Sequence, residues 1–286
     1  MKSGIEIVEC PRDAMQGWAH FIPTAQKISY LSQLLRCGFP ILDCGSFVSP
    51  KAIPQMQDTA AVLDGLDLTN TDTKLLVIVA NQRGIAAAGA QPQVYYLGFP
   101  LSVSETFQQR NTGKSIAQAM DDVKALQENC EKWGKEAVVY LSMGFGNPYG
   151  DPYSADYVAE QAGRLAELGV KNISLADTVG VAETETIDAL FRKLIPQFPQ
   201  AVISAHFHAT AQNWRPKLEA AWAAGCRRFD GAIGGIGGCP MAKDELVGNM
   251  ATENMLRWVG EKGLETGIVI PEFEKAVQQA QLIFGN

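Results

Sequence analysis

Short apolar runs that read as buried strands alternate along this chain with amphipathic stretches of helical spacing, and the cycle repeats eight times. The strand candidates are Ile5–Val8, Ile41–Cys44, Leu75–Val79, Val94–Gly98, Ala137–Ser142, Asn172–Leu175, Ala201–His206 and Arg228–Asp230. The spacing predicts helices over Ala25–Arg36, Ile53–Leu63, Gly84–Ala90, Ser115–Trp133, Ala155–Leu168, Thr184–Ile195, Asn213–Ala224 and Thr252–Gly260. Several of them run into a glycine just before the next strand, as at Gly38, Gly169 and Gly225, which suits a left-handed helix cap. Strict alternation of strand and helix implies a parallel sheet, because a parallel pair needs a long crossover. Eight units in 286 residues, against about 250 typical of the closed architecture, predict a (β/α)8 TIM barrel over an open doubly wound sheet. No linker or low-complexity tract divides the chain. One catalytic domain over 1–286 is therefore expected, with the barrel at about 5–262 and an additional C-terminal helix at about 271–284. That helix carries Phe273, Val277, Ala280 and Ile283 as its apolar positions.

A hydrophobic content of 47% is enough for a large core, and a net charge of −7 without a basic run argues against nucleic acid or an anionic membrane surface. No apolar stretch is long enough to span a bilayer. The first strand begins at Ile5, which leaves no room for a leader, so a cytoplasmic setting is expected. Cys10, Cys37, Cys44, Cys130, Cys226 and Cys239 show no C-x-x-C spacing and fit reduced thiols better than a disulfide framework or a structural zinc site.

Two of the three histidines, His206 and His208, stand one residue apart at the end of the seventh strand candidate. Residues two apart on a strand share a face, so both imidazoles can reach one point. A lone strand histidine is more often a satisfied polar residue, but this pair sits at the strand end where barrels of this type do their chemistry. Arg12 and Asp13, in the loop after the first strand, face the histidines across the mouth as a cationic partner and a carboxylate ligand. Asp43 ends the second strand, and Asp177 ends the sixth, where it either caps the next helix or supports a ligand. The glycine density of the Gly231–Pro240 segment suggests a mobile loop that lets backbone come close to a ligand, but it lacks a dinucleotide fingerprint's context. Cys239 in that loop is either an inert small residue or a thiol favoured as thiolate above a cation, placed for proton transfer. Asn249 adds a neutral amide oxygen. Asp13, His206, His208 and Asn249 make an N/O ligand set suited to Mg2+ or Mn2+, with Zn2+ or Co2+ also compatible.

On these residues the chain resembles the 3-hydroxy-3-methylglutaryl-CoA lyase family, within the superfamily of barrel-shaped metal-dependent lyases and condensing enzymes. The resemblance rests on Pro11-Arg12-Asp13, on Gly45-Ser46-Phe47-Val48-Ser49-Pro50-Lys51 with Pro54-Gln55-Met56, and on Ala176-Asp177-Thr178-Val179-Gly180. It continues through His206-Phe207-His208, Gly235-Ile236-Gly237-Gly238-Cys239-Pro240 and Gly248-Asn249-Met250-Ala251-Thr252-Glu253. It implies cleavage of 3-hydroxy-3-methylglutaryl-CoA to acetyl-CoA and acetoacetate, a divalent-metal-dependent retro-Claisen step of leucine breakdown and ketone-body formation. Arg12 is then the candidate stabiliser of enolate charge, and Cys239, Asp43 and His206 are candidates for moving protons. Gln16, Ser46, Asp177, Thr178 and Glu253 are expected to contact substrate or support the ligands.

The chain departs from the family pattern at several positions. Ala209 stands where an acid commonly follows the second histidine, Asp43 where glutamate is usual, Asn147 where many members have cysteine, and Ala14 where glycine is usual. The Cys239–Asn249 segment is one residue longer than the pattern. The other readings are a metal-dependent aldolase, condensing enzyme or lyase for another 3-hydroxyacyl-CoA or a 2-oxo acid, and a non-catalytic barrel. The expected partner is an acyl-CoA, with Lys51, Arg83, Asn111 and Lys114 near the mouth as phosphate candidates, and a homodimer fits the family.

Overall fold

A computed structural model describes residues 4–238 and 247–285. Eight strands close in sequence order into one barrel: β1 (Glu6–Glu9), β2 (Ile41–Ser46), β3 (Lys74–Ile78), β4 (Val94–Ser102), β5 (Glu136–Ser142), β6 (Asn172–Asp177), β7 (Val202–Phe207) and β8 (Arg228–Gly231). Every ladder is parallel, and β1 closes on β8 through Glu6 to Glu9 opposite Arg228 to Gly231. Eleven α-helices accompany them among the described residues: α1 (Pro11–Gln16), α2 (Thr24–Arg36), α3 (Thr59–Asp64), α4 (Gln82–Gly89), α5 (Glu105–Thr112), α6 (Ile116–Trp133), α7 (Ala155–Glu167), α8 (Thr184–Gln197), α9 (Trp214–Ala223), α10 (Thr252–Lys262) and α11 (Ile270–Phe284). No helix among the described residues is long and apolar enough to cross a membrane.

The period-two alternation of the strands sorts their side chains into two cores. Val8, Cys10, Ile41, Leu76, Ile78, Val138 and Tyr140 form one cluster, which includes two residues of the barrel mouth. The opposite faces of the strands join the helices in a far larger cluster. On α11 the buried stripe is Phe273, Ala276, Ala280 and Phe284. Val277 and Ile283, expected among its apolar positions, are only partly buried beside it. Edge-on aromatic contacts from Phe273 to Phe39 and from Phe284 to Tyr30 and Trp18 set that rotation.

Three local readings differ from the expected ones. The segment expected as one helix over 53–63 is a 3-10 turn at Pro54–Met56 followed by α3. The Thr59 hydroxyl donates to Met56 O at 2.8 Å and accepts from Ser46 N at 3.1 Å, so its side chain takes up backbone groups a continuous helix would use. Gly45 has to be glycine here, because a Cβ would lie 2.5 Å from the Thr59 methyl. The segment after β1, expected as a loop, is the helix α1, with Pro11 at its first turn. The third is α5, whose N-terminus is capped by Ser104 and whose end is a left-handed Gly113. Its sequence, Glu-Thr-Phe-Gln-Gln-Arg-Asn-Thr, carries too little apolar periodicity to reveal it.

Glu9 ends β1 fully buried among the helices. Its two carboxyl oxygens accept from Ile233 N at 2.8 Å and Thr252 Oγ1 at 2.6 Å, tying β1 to both ends of the β8–α10 connection. Burial pushes its pKa up from 4.5 to about 8 despite these hydrogen bonds. A folded pKa above the unfolded one means that stability from this group is complete below about pH 4.5 and is lost as pH rises toward 8. Glu9→Gln, whose amide oxygen still accepts from Ile233 N while its NH2 donates to a Thr252 hydroxyl turned to accept, carries no charge and should therefore leave Tm near wild type at pH 5 and raise it by at least about 3 °C at pH 8.5. Thermal melts at the two pH values check this, and an equal shift at both would reject the burial argument.

Candidate active site and metal centre

The strand ends and α1 build a cavity of about 420 Å3 at the C-terminal mouth of the barrel. Arg12, Asp13, Gln16, Tyr140, Ser142, Thr178, His206 and His208 line it together with an apolar wall that includes Val48, Ile53, Ile78, Pro100 and Phe107. Because α1 starts immediately after β1, it sets Arg12, Asp13 and Gln16 on one turn at the rim. Arg12 bridges the centre: Nη2 donates to Asp43 Oδ2 at 2.6 Å, Nε to the same oxygen at 3.0 Å, and Nη1 to Asp13 Oδ1 at 2.8 Å and Gln16 Oε1 at 2.9 Å. Burial opposes its charge, but the flanking Asp43 and Asp13 carboxylates raise its pKa further. The guanidinium stays charged and fixed.

Asp13, His206 and His208 bring donor atoms within 4.8 Å of one another, all three buried. His208 Nδ1 lies 3.0 Å from Thr178 O, an acceptor only, so Nδ1 must carry the hydrogen. Its Nε2 is then a lone pair, and that buried atom has no hydrogen-bond partner. Burial, followed by the neighbouring His206, pulls the His208 pKa from 6.5 down to about 4, so the ring is neutral as a ligand requires. His206 Nδ1 lies 3.0 Å from Asp230 Oδ2, which leaves its Nε2 available. Burial lowers its pKa, but the Asp230 hydrogen bond and charge outweigh this and raise it. Burial also works against Asp13, yet Arg12, the two imidazoles and Asn249 hold its carboxyl at about 2. An anionic oxygen, a neutral imidazole with an orphaned nitrogen and a carboxylate-backed imidazole fit a divalent cation.

Asn249 joins the cluster through an isolated bridge to His208, before α10 begins at Thr252. Its Nδ2 donates to Asp13 Oδ2 at 2.6 Å and to Ile236 O at 2.9 Å, so the amide nitrogen faces the carboxylate. Turning the isosteric amide over would present the oxygen a ligand role needs. Asp43 is fully buried, and burial raises its pKa to about 6 against the pull of Arg12, close enough to neutrality for proton transfer. Gln16 lines the cavity and donates to Asp13 at 2.5 Å.

Ser46, Asp177 and Glu253 are outside the set of lining residues. The Ser46 hydroxyl is committed to Ile78 O and Val48 N, and Glu253 receives Gly234 N at 3.0 Å, holding the turn at Ile233–Gly235. Asp177 forms a buried ion pair with Lys217 at 2.6 Å. Thr178 lines the cavity and serves the site through its carbonyl, while its hydroxyl accepts from Met143 N. Cys239 lies outside the described residues. The described glycines before it are used for close packing: at Gly237, where φ is +103°, a Cβ would meet Asn249 Nδ2 and Asp13 O at 2.6 Å. Asn147 accepts from Tyr149 N and Asp151 N and donates to Asp151 O, closing its own loop. Of the phosphate candidates, only Asn111 lines the cavity, next to Arg110, while Lys114 is paired with Asp122.

Sequence reasoning missed Asp230, Tyr140 and Arg110. Tyr140 follows from the alternation Val138, Tyr140, Ser142, a strand-period signal, whereas Asp230 stands opposite His206 only in the β7–β8 register, which the sequence does not carry. Arg110 had none, because α5 itself was unread.

A family model described as HMGL-like matches residues 5–279. The chain is 32% identical over 276 residues to a hydroxymethylglutaryl-CoA lyase of Bacillus subtilis, covering 96% of this chain and 89% of that protein. It is 30% identical over 267 residues to an (R)-citramalyl-CoA lyase of Chloroflexus aurantiacus, covering 90% and 84%. The structure of an HMG-CoA lyase from Acenitobacter baumannii in complex with coenzyme A and 3-methylmalate superposes with a TM-score of 0.92 at 29% identity, covering 99% of this chain and 92% of that one.

Proposed function

The chain belongs to the HMGL-like family, and from that premise we propose that it is a carbon–carbon lyase that cleaves 3-hydroxy-3-methylglutaryl-CoA to acetyl-CoA and acetoacetate, with the whole chain acting as one catalytic domain. The observation that carries the reading is the convergence of Asp13, His206 and His208 within 4.8 Å in the wall of one cavity, beside Arg12, whose guanidinium is backed by the buried Asp43. Asp13, His206, His208 and, with its amide turned, Asn249 would hold Mg2+ or Mn2+, with Zn2+ or Co2+ compatible. A bound divalent ion acidifies and orients a substrate oxygen.

The rest of the chemistry falls to side chains. Cleavage needs a base to take the tertiary hydroxyl proton as the C2–C3 bond breaks, which leaves acetoacetate and the enolate of the acetyl thioester. Asp43, behind Arg12, is the group whose surroundings suit it to accept that proton, while His206, with Nδ1 on Asp230, would accept it only with its Nε2 off the ion. The thioester enolate needs a fixed cation. Arg12 has five N–H donors, of which Asp43, Asp13 and Gln16 take four, so one Nη2 hydrogen is left for the thioester oxygen. A proton must then reach C2 of the enolate, and Cys239 is the proposed donor. Arg110 and Asn111, which line the cavity with Phe107, would meet the coenzyme A arm. Cytoplasmic placement in leucine breakdown or ketone-body formation and a homodimer complete the proposal, supported by unpaired thiols among the described residues and by Leu282 standing 81% exposed on α11.

Protein supplied with Mn2+ or Mg2+ and 3-hydroxy-3-methylglutaryl-CoA should release acetoacetate and acetyl-CoA, stop on addition of a chelator and recover with excess metal. No acetoacetate at saturating metal and substrate would reject the reading. A second reading follows from the citramalyl-CoA lyase relative. The same bond cleavage on citramalyl-CoA yields pyruvate in place of acetoacetate, so assaying both products side by side separates the two.

A further inference from the structure

The cation at the heart of the β6–β7 junction is Lys217, on α9, which is only 2% exposed. Its ammonium has three donors, and all three have acceptors: Asp177 Oδ2 at 2.6 Å, Gly180 O at 2.9 Å and His208 O at 2.9 Å. Asp177 in turn accepts Ala182 N at 3.1 Å. Between Asp177 and Gly180 lies Thr178, whose carbonyl receives the His208 ring at 3.0 Å. One ammonium thus holds the main chain of His208 and, through the turn after β6, the carbonyl that orients its imidazole.

We propose that Lys217 is a positioning residue for His208, aiming the orphaned Nε2 at the metal position. The argument rests on His208 being a ligand, as proposed above. Stability alone does not account for the lysine, since an apolar pair of similar volume generally serves as well as a buried ion pair. What an apolar pair cannot supply is the third donor, the one on the His208 carbonyl. The side chain after His208 is Ala209, which brings no carboxylate to the site, so the anchoring of this ligand arrives from the far side of the strand end.

Lys217→Met should raise the Kd for Mn2+, read by paramagnetic resonance titration, by roughly 10–100-fold. Asp177→Asn combined with Lys217→Met removes the stranded charge, so it should recover Tm while the Mn2+ Kd stays raised. This double variant decides the matter if the single one fails to fold. Wild-type Mn2+ affinity in either variant would overturn the positioning role, because the lost contact would then be irrelevant or the effect one of stranded charge alone. Failure of the wild-type chain to bind Mn2+ would instead reject His208 as a ligand, and the proposal with it.

Discussion

Arg12→Lys should fold and still split its acyl-CoA substrate roughly 10²–10³-fold more slowly, because the enolate-stabilising role proposed for Arg12 is worth that much. Lysine keeps the charge but is a point donor on a flexible stem. It cannot span Asp43 on one side and Asp13 with Gln16 on the other, as the guanidinium does at 2.6 to 3.0 Å. The loss should fall on kcat more than on KM, since the contact strengthens as charge develops on the thioester oxygen. Steady-state kinetics at saturating Mn2+ check this. A rise in KM with kcat unchanged would place Arg12 in ground-state binding.

His208→Ala should lower Mn2+ affinity and turnover together, each by more than about 100-fold, beyond the 10–100-fold typical of losing an outer partner of a ligand. The buried ring has one nitrogen committed to Thr178 O and the other with no partner, so a structural role for it is only half satisfied. An unpaired buried nitrogen costs stability, and a cation is what would repay it. Removing the ring should therefore spare or raise the Tm of the metal-free protein while it abolishes the rise in Tm on adding Mn2+. Calorimetry with and without metal reads both effects. An unchanged metal titration would remove His208 from the ligand set.

The eight strands were legible because a buried parallel strand is a short apolar run between glycine-punctuated helices, and Asn172 to Leu175 or Arg228 to Asp230, each within an observed strand, needed no tertiary knowledge to be found. The His206–His208 pair was legible for the same reason, through strand period alone. What sequence could not carry was partnership between distant elements. Nothing local marks Lys217 as the partner of Asp177, 40 residues away, or Asp230 as the carboxylate behind His206. Ser46 and Glu253 lie within motif segments, yet their polar atoms are consumed by backbone amides or carbonyls, a difference only side-chain direction reveals. Helix α1 escaped because six residues are too few to display a period.

The cavity is two-sided. Its polar arc comes from the two strands that flank β8, with Arg12 and Asp13 after β1 and His206 and His208 at β7, whereas Val48, Ile78, Pro100 and Phe107 follow or belong to β2, β3 and β4. Gly237 packed against Asp13 and Asn249 leaves the polar arc no slack for even one added methyl group. Variation in acyl preference would thereby be channelled to the opposite arc, where side chains can be exchanged without shifting the residues proposed to handle the reacting oxygen. A descendant or an engineer seeking a new thioester would inherit the bond-breaking half intact and redraw only the wall that faces it.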